Sequence, residues 1–65
     1  MITYNSLIKM IINKSFIFNK SYLINNNDVL KLKNYIYEHK LPIIINCNKF
    51  DKISYIEFEK YKKLN

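Results

Sequence analysis

Not one of the 65 residues is a glycine, and the chain holds a single proline. Glycine enters left-handed backbone without steric cost, so every tight reversal here falls to asparagine, aspartate or another residue that tolerates positive φ. The same omission excludes the glycine-rich loops that cradle nucleotide phosphates, whose backbone must approach the ligand closely. Length sets a second bound. A chain this short holds one core and buries only about 60% of the surface its unfolded form exposes, which leaves room for a working surface rather than a deep cleft.

Alanine, arginine, glutamine and tryptophan are also missing, while isoleucine, lysine and asparagine supply half the chain. Residues of A/T-rich codons dominate, which points to a low-GC bacterium, its phage or plasmid, or a virus as the source. The net charge of +6 comes from lysine alone. Such an excess favours anionic partners, meaning nucleic acid, an acidic protein surface or anionic lipid, although codon bias accounts for part of the lysine. No apolar run approaches the roughly 20 residues needed to span a bilayer. The opening segment is interrupted by Asn5, Ser6, Lys9 and Asn13 and has no export-signal pattern. Cys47 is the lone cysteine, so neither an internal disulfide nor a cysteine-based metal site is expected. These features describe a single cytoplasmic domain, residues 1–65, with no cofactor and no membrane partner.

Along the chain, Leu7, Ile8, Ile11 and Ile12 form a helical stripe within residues 3–14, with Thr3 or Asn5 available as cap. Residues 15–24 carry two aromatic-aliphatic bursts around a polar turn at Asn19 to Ser21 and read as a short strand or extended connection. Asn25, Asn26 and Asn27 precede a helix that starts near Asp28. Its expected buried stripe is Val29, Leu32, Ile36 and His39, flanked by Leu30 and Tyr35. Pro42 stops that helix. A β-hairpin follows, with Ile43 to Ile45 as one strand, Asn46 to Asp51 as its turn, Lys52 and Ile53 as the return, and Asn46 and Asn48 as candidates for positive φ. Ser54 and Glu57 have capping-box spacing and open a last helix over YIEFEKYKKL, in which Glu59 pairs with Lys63. The expected fold class is α+β, with about three helices and a hairpin between the second and third.

The segment from Tyr22 to Leu64 resembles the DNA-binding domain of the excisionase and MerR-like winged-helix families. Glu38-His39-Lys40-Leu41-Pro42 stands where those families end a helix in Lys-Leu-Pro. Ile43 to Ile53 would be the wing, with Glu57, Phe58 and Tyr61 along the closing helix. The resemblance implies a small winged-helix domain over residues 22–64, preceded by a helix and connecting strand in residues 1–21. Tyr22 to Pro42 has room for one helix only, so the other helix of a helix-turn-helix would come from residues 5–14. The wing also lacks the glycine and arginine usual at its tip.

No catalytic set is present. His39, the only histidine, suits a helix C-terminus, and Cys47 has no nucleophile-elbow or oxyanion-hole signature around it. Capping, turn formation and surface pairing account for the five carboxylates. The positive surface remains. Lys31, Lys33, Asn34 and Tyr37 on the second helix, with Lys40, Lys49 and Lys52 beyond it, are the candidate nucleic-acid contacts, lysine toward phosphate and Asn34 toward an adenine edge. Without arginine, the commonest guanine contact is missing, and binding would lean on phosphate and A·T-rich shape. The six tyrosines and four phenylalanines form either a core or a base-stacking platform. Three functions compete: a duplex DNA-binding transcriptional or recombination accessory factor, with a homodimer as one form; a phage or viral inhibitor on an acidic surface of a host nuclease or polymerase; and a structural protein pairing through the edge of Ile43 to Ile45.

Overall fold

The computed structural model describes residues 1–61, with side chains through Glu59. Helix α1 (Tyr4–Ile12) opens the chain, followed by strand β1 (Ser21–Asn25), helix α2 (Asn26–Glu38), strand β2 (Ile43–Phe50) and strand β3 (Ile53–Tyr61). Thr3 caps α1 by accepting from the Ser6 N–H, and Asn25 caps α2 by accepting from the Asn27 N–H at 2.9 Å. Helix α2 therefore begins two residues before Asp28, and only the first asparagine of the run serves as its cap. Asp28 reaches across instead, its carboxylate accepting from the Tyr4 N–H at 3.3 Å and tying α2 to the start of α1.

Both helices end without glycine in the same way. Lys14, at φ 54°, and Lys40, at φ 51°, take the left-handed position. The Lys14 N–H donates to the Ile11 carbonyl and the Ser15 N–H to that of Met10; the Lys40 N–H donates to Tyr37 and the Leu41 N–H to Ile36. This paired return is the Schellman motif, here with lysine where glycine is usual.

The expected third helix is a strand. The described residues form two helices and a three-stranded antiparallel sheet, so the α+β class stands while the three-helix winged-helix arrangement does not. Ser54 is not a helix cap but a buried residue of β3, and Glu57 accepts from the Ser21 hydroxyl at 2.8 Å on the adjacent strand. Ser54, Ile56 and Phe58 alternate inward, all three at 0% exposure, which is the period of a half-buried strand. Pairing decides the competition: β3 is the central strand in the order β1-β3-β2 and bonds a neighbour on each side, outweighing a local cap. Lys62 to Leu64, where the expected helix ended, lie outside the described residues, as does the lysine of the expected Glu59–Lys63 pair.

The hairpin is also longer than expected. Strand β2 runs through Asn46 and Asn48 to Phe50, and only Asp51 and Lys52 turn. Asp51 takes the positive φ, 46°, because the turn lies where it stands.

Strands β1 and β2 are each antiparallel to β3, so they run the same way with β3 between them and α2 as the connection. Leu7 and Ile11 of α1, Val29 and Leu32 of α2, Phe16, Ile24, Ile56 and Phe58 form the core. Both sequence stripes are narrower than expected. Ile12 and Leu30 are exposed at 65% and 63%, and His39 is exposed, its ring stacked on Tyr35 at 4.2 Å. Among the described residues, no helix is long and apolar enough to cross a membrane.

Candidate functional site

Helix α2 packs against α1, β1 and β3. Strand β2, at the sheet edge, is thereby left with Ile43, Ile45 and Cys47 only half-buried. A groove results, with the inner face of β2 as its floor and one flank of α2 as its wall. On α2 that flank carries Leu30, Lys33 and Tyr37, with Lys40 just beyond, at helical spacing. The spacing that buries Val29 and Leu32 turns these residues outward.

Two depressions make up the groove. One, of about 460 Å³, lies between Ile36, Leu41, Ile43 and Ile45 below and Lys33 and Lys40 at the rim. The Schellman turn shapes it, because it folds Leu41 back over Ile36. The other, of about 420 Å³, brings together Leu30, Lys31, Lys33 and Lys49 beside Asn26 and Asn27. No carboxylate lines either one.

The far end is held by Asn26. Its Nδ2 donates to the Asp51 carbonyl at 2.7 Å, its Oδ1 accepts from the buried Ser54 hydroxyl, and its backbone N–H donates to the Lys52 carbonyl at 3.2 Å. One residue at the start of α2 thus fixes the helix to the hairpin turn.

Of the seven expected contact residues, Lys31, Lys33 and Lys49 meet around one depression, and Tyr37 and Lys40 line the other with Lys33. Asn34 is exposed on α2 and lines neither. Lys52 sits in the hairpin turn beside Asp51 and the asparagines, apart from the others. The apolar floor has no local signal. The sequence marks Leu41 as the helix end and Ile36 as core, and their role in the groove depends on α2 lying off β2.

Elsewhere, the outer face of the sheet exposes Leu23, Phe50, Ile53 and Tyr55, with the Phe50 and Tyr55 rings edge to face at 5.4 Å. Among the described residues, no group of three His, Cys, Asp or Glu side chains is placed to hold a metal ion. Comparison with known proteins finds no matching family, no similar curated protein and no similar solved structure.

Proposed function

We propose that this chain is a binding module that performs no covalent chemistry, and that it acts as an adaptor or inhibitor on an acidic protein partner held in the α2–β2 groove. The observation carrying this reading is an apolar floor, Ile36, Leu41, Ile43 and Ile45, rimmed by lysines with no carboxylate among its lining residues. Such a site offers burial to aliphatic groups and a field to carboxylates, and the two together select a protein segment over a small ion. A peptide rich in aliphatic and acidic residues is expected to bind, and Lys33→Glu with Lys49→Glu is expected to weaken binding about tenfold or more while leaving the circular dichroism spectrum unchanged. Binding that ignores these reversals refutes the reading.

A second reading is duplex DNA binding, favoured by the meeting of Lys31, Lys33 and Lys49 around one depression and by exposed Asn34 and Tyr37 on the same helix. Contacts of that kind go to phosphate and read A·T-rich shape rather than guanine. Affinity then falls linearly with log[salt], with the slope reduced by about one for each lysine lost. Failure to bind random and A·T-rich duplex at about 50 mM salt ends this reading.

A further inference from the structure

The outer edge of β2 has no pairing partner among the described residues. The opposite edge of the sheet is different, because the Ile2 N–H donates to the Leu23 carbonyl at 2.8 Å and covers β1 there. Which β2 groups face outward follows from the hairpin. Only Asp51 and Lys52 separate the strands, so Phe50 and Ile53 form the hydrogen-bonded closing pair, and bonded pairs recur at every second residue. Lys49, Cys47 and Ile45 occupy the alternate pairs, with their N–H and C=O groups directed away from β3. The phase has an independent check: Phe58, opposite Ile45, turns its carbonyl toward the β1 side, where it accepts from the Asn19 N–H at 2.9 Å.

The same three residues stand opposite buried Phe58, Ile56 and Ser54, so their side chains belong to the inner face, beside the groove. A single row therefore offers free main-chain groups and groove-lining side chains together. That combination suits an added strand, for which main-chain bonds supply affinity and side-chain pockets supply choice.

Building on the protein-binding reading above, we propose that β2 receives an extended segment of a partner protein as a fourth strand of the sheet, with aliphatic and acidic residues both at the alternate positions that share the inner face. The inward aliphatic side chains lie on Ile45, Ile43 and Leu41, and the inward carboxylates meet Lys33 and Lys49. Ile45 to Lys49 covers about 13 Å at roughly 3.3 Å per residue, so the paired stretch is about five residues long. A second copy of the chain fits poorly, because a lysine on an edge strand resists pairing with another chain of net charge +6.

The test uses the intact chain and two fluorescent heptapeptides with threonine at every second position and, at the positions between, two glutamates followed by two valines or the reverse order, one for each strand direction. Anisotropy is expected to report binding of one of them that weakens about tenfold or more in the Lys33→Glu, Lys49→Glu chain, while the same peptides with lysine for glutamate do not bind. Amide exchange followed by NMR is expected to slow about tenfold or more at Ile45, Cys47 and Lys49 on peptide addition, with Asn46 and Asn48, already bonded to β3, unchanged. A peptide N-methylated at alternate nitrogens is expected to lose binding. Binding without slower exchange at the three outward residues overturns strand addition and leaves the protein-binding reading standing. No peptide binding, together with salt-sensitive duplex binding, overturns both. Equal binding of the lysine-substituted peptides overturns the charge argument.

Discussion

Asn26→Ala tests the joint that holds α2 beside the hairpin. The substitution removes the acceptor of the Ser54 hydroxyl, which lies at 0% exposure, and the donor to the Asp51 carbonyl. An unsatisfied buried hydroxyl costs about 1–3 kcal/mol. The Asp51 carbonyl sits in an exposed turn and recovers a water partner, so its loss adds about 0.5 kcal/mol, offset by a few tenths from alanine's helix propensity. The net expectation is about 2 kcal/mol, from a total near 3–10 kcal/mol for a domain of this size. Tm should fall by about 8–16 °C, at roughly 4–8 °C per kcal/mol. Ser54→Ala is expected to cost less, about 1 kcal/mol, because the half-buried Asn26 amide reaches solvent. The double variant should cost less than the sum of the two singles. Thermal and urea unfolding followed by circular dichroism reads all three. A fall in Tm below about 3 °C for Asn26→Ala, or strict additivity in the double variant, would refute the reasoning.

Other outcomes are equally open to measurement. Lys14→Gly should stabilise the chain by about 0.5–1 kcal/mol by relieving a side chain held at positive φ, net of glycine's entropy, seen as a rise in urea midpoint. Leu32→Ala, at 0% exposure, should cost about 2–5 kcal/mol and leave much of the population unfolded at 37 °C by circular dichroism. Leu30→Ala, at a residue 63% exposed, should leave the urea midpoint nearly unchanged while weakening glutamate-valine peptide binding measured by anisotropy. In the duplex reading, Lys31→Glu should reduce affinity similarly for all sequences and lower the salt slope, whereas Asn34→Ala should act only on adenine-containing sites.

The signals legible in the sequence are those whose partners lie within a few residues. Thr3 caps α1, Asn25 to Asn27 announce α2, Val29 and Leu32 mark its buried side, and Pro42 follows its end, which falls at Glu38, two residues before the expected Lys40. The last element failed on the same kind of signal. Ser54 and Glu57 have the spacing of a capping box, but a central strand gains main-chain bonds on two sides and buries Ile56 and Phe58 completely, which no local motif matches. The inward alternation of Ser54, Ile56 and Phe58 was visible in the sequence and carried the correct period. The groove was beyond local reading. Lys33 and Lys49 are sixteen positions apart, and they meet only because β3 inserts between β1 and β2 and α2 packs off the outer strand. The sequence by itself determined a small glycine-free basic domain and the placing of its first two helices. Tertiary structure decided which strand is an edge, which lysines share a face, and what apolar surface lies between them, because those depend on long-range pairing that periodicity does not encode.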